Sequence, residues 1–178
     1  MRQRDSYKDR QGPRPLDAAR LEALALRYVG RYATTRSKLR DYLRRKLGGA
    51  EWEGDVAADP EAIIDRFAAL GYVDDRAFAG QRAAALGRRG FGVRRINMAF
   101  RAAGIEAADG EDALEIARDG AFEAALSLAR RKRIGPFANE AADRPMREKA
   151  IAALVRAGHD PALARRIATS LPGEIPEK

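Results

Sequence analysis

The chain of 178 residues carries a formal net charge of +8 and contains no cysteine and one histidine. Disulfides and thiolate metal sites are excluded, and no apolar stretch approaches the roughly 20 residues that span a bilayer. We therefore expect a folded cytoplasmic protein without a membrane partner. Its charge predicts a polyanionic or acidic partner, although the excess of arginine (28 residues) over lysine (6) could also reflect genomic base composition.

Beyond a polar first segment, the apolar residues recur with the period of a helix. Residues 1–15 are charged and include two prolines, which predicts a disordered basic tail. No alternating strand pattern follows. Nine helices are predicted, over about 17–33, 35 or 37 to 47, 59–70, 74–88, 93–104, 111–118, 119 or 120 to 133, 146–158 and 160–171, with loops over 48–58 and 134–144 and a frayed end over 172–178.

The most informative local pattern joins the third and fourth helices. Gly71 follows an apolar-periodic helix, so we predict that it is the left-handed residue after the helix end, where a missing Cβ removes the steric penalty. Tyr72 is then placed to fold back onto Phe67. Asp74 is placed to cap the next helix, and Phe78 has the spacing of a hydrophobic staple with the residue before that cap.

Similar joints recur along the chain and indicate internal repeats. The segment 100–105 resembles 154–159, and an Asp-Pro pair opens a helix at 59–60 and again at 160–161. The predicted fold is all-α, with three tandem three-helix repeats (16–73, 74–118 and 119–171) stacked into an elongated arrangement. The residues assigned to structural turns are Gly71, Tyr72, Asp74, Asp75, Phe78, Gly104 and Gly158.

Few residues could support catalysis. His159 follows a helix-ending glycine, where a structural role is expected rather than a catalytic one. Asp74 and Asp75 are explained by capping and by the helix dipole. No glycine-rich phosphate loop or spaced set of metal ligands is found, so we predict no enzyme, no metal and no cofactor.

Three clusters of basic residues are the candidate partner- or DNA-binding sites. Their alternative explanations are a solvated helix face and, for the last cluster, favourable charge at a helix C-terminus. Arginine binds phosphate and carboxylate equally well, so charge alone does not choose between DNA and an acidic protein surface. The candidates are Arg36, Lys38, Arg40, Arg44, Arg45 and Lys46, then Arg88, Arg89, Arg94, Arg95 and Arg101, then Arg130, Arg131, Lys132 and Arg133.

The body of the chain, about 20–171, resembles the bacterial recombination regulator RecX. The features that carry the resemblance are the segments 71–79, 90–92, 100–105, 37–43 and 154–159, with matching order and spacing along the chain. The family usually has an aromatic residue where this chain has His159. The resemblance implies three tandem three-helix units in a curved, elongated, right-angle-stacked molecule, and a non-enzymatic partner of the recombinase RecA. We expect the protein to be a monomer.

RecX proteins, by the same resemblance, lie in the groove of the RecA filament on single-stranded DNA. They suppress filament extension, and with it ATP hydrolysis, strand exchange and co-protease activity, in recombination and the SOS response. The protein would contact DNA directly or through the filament. The residues predicted to contribute most are Arg36, Lys38, Arg40, Arg44, Arg45, Arg94 and Arg95.

Two other functions are consistent with a basic helical chain. The fourth and fifth helices around Gly90 could form a helix-turn-helix, with Val93 to Ala103 as the recognition helix of a stand-alone DNA-binding protein. An all-helical nuclease is the second alternative, and the lack of a carboxylate cluster argues against it.

Overall fold

The computed structural model describes residues 14–177, and these residues form α-helices without a strand. The all-α prediction is confirmed. The longest described helices have 14 residues, and none is long and apolar enough to cross a membrane. The helices are α1 (Ala18–Arg31), α2 (Arg36–Leu47), α3 (Pro60–Ala69), α4 (Asp75–Arg88), α5 (Val93–Ala103), α6 (Ala107–Asp119), α7 (Ala121–Lys132), α8 (Arg144–Arg156) and α9 (Pro161–Thr169), with a 3-10 turn at Gly135–Phe137.

The chain divides into two compact units, the first ending at Val73 and the second beginning at Asp74. In the first unit, helices α1 to α3 bury one apolar cluster that includes Leu21, Leu39 and Phe67. The second unit contains two clusters. One lies among α4, α5 and α6, the other among α7, α8 and α9, and Phe91 packs against both.

The predicted joint at Gly71 forms in the structure. Gly71 has φ of 74°, and the N–H of Tyr72 donates to the Phe67 carbonyl at 2.8 Å, which is the hydrogen-bond pattern of a Schellman stop. The Tyr72 ring meets the Phe67 ring edge-on at 5.4 Å between centroids. Asp74 then caps α4 by accepting from the N–H of Ala77 at 2.8 Å. Asp75 follows it as the first residue of α4 and is buried.

The same stop ends three further helices. Gly90, Gly104 and Gly158 all have positive φ. In each case the next residue donates its N–H to the carbonyl five positions earlier, as Ile105 does to Phe100 at 3.1 Å. These stops let short helices follow one another closely, because the end of one helix fixes where the next begins.

Several predicted boundaries differ from the structure. Helix α6 begins at Ala107, one turn before the predicted start at Glu111. Its first turn has no bulky apolar residue, so the apolar period gave no signal there. A buried glycine, Gly110, instead allows the Phe100 ring to approach, since a Cβ would lie 3.0 Å from Phe100 Cδ2. Smaller differences are the ends of α1 at Arg31 and α9 at Thr169.

Other predictions fall partly outside the structure or differ from it. The tail predicted over 1–15 lies almost wholly outside the described residues. The loop predicted over 134–144 includes the 3-10 turn, and α8 begins at Arg144 with Asp143 as its cap, accepting from the N–H of Met146. Near the C-terminus, the N–H of Gly173 donates to the Pro136 carbonyl at 2.9 Å.

Replacing Arg133 with glycine should stabilise the protein by about 0.5–1 kcal/mol. Arg133 ends α7 with φ of 52°, the one non-glycine with positive φ among residues 14–177. Glycine removes the steric penalty of this conformation, although its greater freedom in the unfolded chain offsets part of the gain. Urea unfolding measures the difference. The matched variant Arg130→Gly lies in the last turn of α7, where φ is negative, and should instead lose about 1 kcal/mol from helix propensity and from the contact with Phe137.

Candidate functional site

The first basic cluster lies on α2, which Thr35 caps by accepting from the N–H of Lys38 at 3.2 Å. Within it, Arg40 is part of a structural ion pair. Its Nε and Nη2 each donate at 2.7 Å to the carboxylate of Glu61 on α3. These hydrogen bonds raise the pKa of Arg40 and lower the pKa of Glu61. Arg40 therefore joins two helices of the first unit.

The other basic side chains of α2 have weaker contacts. Arg44 lies 3.4 Å from Glu61, and Arg36 lies 4.0 Å from Asp65. Arg45 donates to the backbone carbonyl of Asp41 at 3.3 Å, and Lys46 lies 5.6 Å from the centroid of the Tyr42 ring. A carbonyl and an aromatic ring hold a cation in place without neutralising it, so Arg45 and Lys46 keep their full charge at the surface.

The second basic cluster is positioned by two glycine turns that lie against each other. We call residues 90–92 and 157–159 the glycine junction. The N–H of Gly92 donates to the Ala157 carbonyl at 2.9 Å, and the N–H of Arg94 donates to the Gly158 carbonyl at 3.2 Å. Neither Gly92 nor Gly158 has room for a Cβ, because atoms of the opposite segment already occupy that space. The junction thereby fixes the start of α5 within the second unit.

Arg94 and Arg95 occupy the first turn of α5, where the helix dipole disfavours positive charge. No acidic residue lies in that turn, and Gly92 provides no side-chain cap. Both arginine side chains are exposed. The helix dipole stabilises basic residues at a helix C-terminus, but this pair lies at an N-terminus. The dipole therefore destabilises Arg94 and Arg95 and does not explain their presence.

The fold also brings parts of the second and third clusters together around Phe91. The guanidinium carbons of Arg89 and Arg95 lie 5.2 Å and 5.9 Å from the Phe91 ring centroid. Arg131, at the end of α7, donates to the backbone carbonyl of Arg89. Arg131, which is 42 positions from Arg89, thus joins Arg89 and Arg95 on one surface of the second unit, and Phe91 restricts the latter two by cation–π contact.

The remaining candidates do not join a comparable cluster. Arg130 lies 4.8 Å from the Phe137 ring centroid. Arg130, Arg131 and Lys132 form the last turn of α7, where the dipole favours cations, so their structural explanation stands beside the functional one. The side chains of Arg88, Arg101, Lys132 and Arg133 are exposed.

His159 is a buried structural residue of the glycine junction, with 2% of its surface exposed. Its Nε2 lies 3.0 Å from the Gly90 carbonyl, which makes Nε2 the protonated nitrogen of the neutral ring. Nδ1 has no partner among the described residues. Burial lowers the pKa of His159, and the hydrogen bond to Gly90 only partly opposes this effect.

Acid should destabilise the protein through His159. The pKa of His159 is lower in the folded state than in the unfolded state, so the unfolded chain binds the proton first as the pH falls. The free energy of unfolding therefore decreases below about pH 6.5, by up to ~1.4 kcal/mol per pH unit, until the folded pKa is reached. Urea unfolding at pH 7.5 and pH 5.5 measures the loss. His159→Phe, which has no titrating group at this position, should lose less stability between these conditions. Equal losses in the two proteins would contradict this assignment.

No group of three histidine or carboxylate side chains that could hold a metal ion occurs in the described part of the chain. Several acidic residues take part in ion pairs. Arg76 of α4 binds Asp112 of α6, and Arg118 lies 2.9 Å from Glu111.

Sequence reasoning missed one group of side chains, the tyrosines of the first unit. Tyr28 and Tyr32 are four residues apart at the C-terminal end of α1, a spacing that places both side chains on one face of the helix, and Tyr32 is 50% exposed. The rings of Tyr28 and Tyr42 stack at 4.2 Å with 13° between their planes, and Tyr32 lies 5.4 Å from Tyr28. The i, i+4 spacing of two tyrosines beside Arg27 and Arg31 was the available signal.

The same fold occurs in two solved structures. The crystal structure of RecX from Lactobacillus salivarius matches 84% of this chain and 93% of its own, with a TM-score of 0.67 at 21% identity. A second crystal structure, of regulatory protein RecX, matches 84% of this chain and 70% of its own with a TM-score of 0.63 at 22% identity.

Sequence comparison establishes the family. The regulatory protein RecX of Myxococcus xanthus is 33% identical over 94% of this chain and 95% of its own length. The regulatory protein RecX of Thermus thermophilus is 35% identical over 62% of this chain and 70% of its own. No protein-family model matches the sequence. The chain belongs to the RecX family of regulatory proteins.

Proposed function

We propose that this protein binds the RecA filament on single-stranded DNA and inhibits its extension, and with it ATP hydrolysis, strand exchange and co-protease activity. The observation that carries the proposal is the similarity to a RecX protein over 94% of the chain. Inhibition requires no chemistry from the regulator, because a protein that occupies sites on neighbouring protomers opposes polymer growth by binding alone. We further propose that the regulator acts as a cytoplasmic monomer without a cofactor.

We propose that the basic side chains provide the contacts. The pair Arg94–Arg95 is the strongest candidate, because its position at the start of α5 costs folding stability and so calls for another role. Arg89 and Arg131 extend the same surface around Phe91. Within the α2 cluster, Arg45 and Lys46 retain more charge for a partner than Arg40, which Glu61 neutralises.

The three apolar clusters support three repeats, with 16–73, 74–118 and 119–171 as their proposed limits. In this arrangement α5 opens in the second repeat against a turn of the third, through the glycine junction. A stand-alone helix-turn-helix protein is less well supported, since the start of a recognition helix must enter the major groove, and the backbone of residues 157–159 already lies against the start of α5.

The test is a RecA ATPase assay on single-stranded DNA, with and without this protein. We expect steady-state hydrolysis to fall at regulator concentrations below that of the recombinase, because one regulator at a filament end blocks many later additions. Pre-formed filaments should be affected more slowly than filaments that are still growing. Unchanged hydrolysis in both formats, with regulator that is folded by circular dichroism, would refute the proposed function.

A further inference from the structure

The tyrosines of the first unit form a connected aromatic array that extends from the core to the surface. Tyr28 and Tyr42 are half-buried against the apolar cluster of α1 to α3 and stack nearly parallel on each other. Tyr32 continues the array at the C-terminal end of α1, tilted by 54° from Tyr28. Tyr32 is 50% exposed. The array therefore ends in a ring that faces solvent on a rigid base.

Positive charge surrounds this array. The surface depression beside Tyr32 is lined by the three tyrosines together with Arg27 and Arg31. A second depression adjoins it through Tyr28. It is lined also by Lys38, Asp41, Arg44 and Arg45. Lys46 lies over the Tyr42 ring. Cations thus outnumber the single carboxylate that lines the two depressions.

We propose that Tyr28, Tyr32 and Tyr42 form a base-stacking site for single-stranded DNA, with an unpaired base on Tyr32 and the adjoining phosphates on the surrounding cations. Aromatic rings within a positively charged groove are the usual means by which proteins bind single strands without sequence preference. An unpaired strand presents the faces of its bases, whereas a duplex hides them in its stack. The choice of DNA as the occupant rests on the proposed function.

The contact of Arg31 with Tyr32 shows how a base would bind. The guanidinium carbon of Arg31 lies 5.5 Å from the Tyr32 ring centroid, so this face accommodates a flat, cationic group. A nucleobase replaces the guanidinium on the ring, and Arg31, on its flexible stem, then pairs with the adjacent phosphate. A structural aromatic cluster explains Tyr28 and Tyr42, but it does not explain why Tyr32 is left half exposed among arginines.

The experiment measures binding of the full-length protein to a fluorescent oligo(dT) of about 20 nucleotides, longer than the ~16 that a small domain covers. No recombinase is present, so the result is independent of the ATPase test. We expect Tyr32→Ala to bind about tenfold more weakly, the loss of one stacked base. Tyr32→Trp should bind at least as tightly as the wild type. The wild type should bind an abasic strand of equal charge about tenfold more weakly than oligo(dT).

The matched control is Tyr72→Ala. Tyr72 is 52% exposed in the same unit, but its ring contacts Phe67 and lies outside the two depressions. Its removal should leave the affinity unchanged.

Equal affinity of the wild type for oligo(dT) and the abasic strand overturns the proposal, as does an undiminished affinity of Tyr32→Ala. If Tyr32→Ala fails to fold, the abasic comparison on the wild type decides the question. Weaker inhibition of RecA by Tyr32→Ala, with unchanged oligo(dT) binding, would show that this face binds protein instead and also overturns the proposal.

Discussion

Replacing Gly92 with alanine is expected to lower the free energy of unfolding by about 3 kcal/mol, a large part of the roughly 5–15 kcal/mol that stabilises a typical domain. An added Cβ would lie 2.6 Å from the backbone N of His159 and closer still to the Gly158 carbonyl. The clash is with backbone, which no rotamer change relieves. The two turns must separate, and the hydrogen bonds of Gly92 to Ala157 and of Arg94 to Gly158 are weakened with them.

Gly92 is a clean test of this close approach because its own conformation is ordinary, with φ of −84°. Any loss in Gly92→Ala therefore comes from contact and not from backbone strain. The matched control is Gly80→Ala, since Gly80 lies exposed within α4 and a Cβ there would meet nothing within 4 Å. That variant should gain about 1 kcal/mol. Urea unfolding followed by circular dichroism measures the stability of both variants. A Gly92→Ala protein as stable as the wild type would disprove the close backbone approach at the glycine junction.

The sequence predicts the joints of this fold well because their physics is local. The stop at Gly71, the contact of Tyr72 with Phe67 and the cap at Asp74 depend on residues that lie close together along the chain. Each requires a specific residue type, such as a glycine for positive φ or a carboxylate for the cap. The start of α6 was not predicted because its signal is a glycine that accommodates Phe100, which only the packed structure reveals.

Contacts between distant residues were less predictable. The buried contact of His159 with Gly90 spans 69 positions, and the surface contact of Arg131 with Arg89 spans 42. The sequence identifies every basic side chain, but it does not distinguish Arg40, held by Glu61, from the arginine pair at the start of α5. The exposure of Tyr32 was not predicted, because Tyr32 continues the helical period of the apolar residues of α1 and that period alone indicates a buried face.

Reversing the charge of Arg94 and Arg95 together, as Arg94→Glu/Arg95→Glu, is expected to raise the concentration needed for half-inhibition of the RecA ATPase by at least about tenfold. Each arginine replaced removes a charge-assisted contact to a phosphate or carboxylate, and each glutamate introduced adds repulsion. The first turn of a helix favours negative charge by about 0.3–1 kcal/mol per residue, and the lost contact of Arg95 with the Phe91 ring offsets part of that gain. Inhibition is thus expected to fall without a loss of stability, which unfolding cannot produce.

The control for net charge is Arg147→Glu/Lys149→Glu on α8, where both side chains are exposed and lie outside the candidate clusters. It changes the total charge by the same amount, so a loss of inhibition that depends only on general attraction to a polyanion would appear in both double variants. We expect the α8 variant to inhibit within about twofold of the wild type, since distant surface charges are screened at physiological salt.

If the α5 variant is at least as stable as the wild type and still inhibits as well, the first turn of α5 does not face the filament, and the α2 cluster becomes the remaining candidate. If both variants lose inhibition equally, the regulator is held by net charge and not by a defined surface.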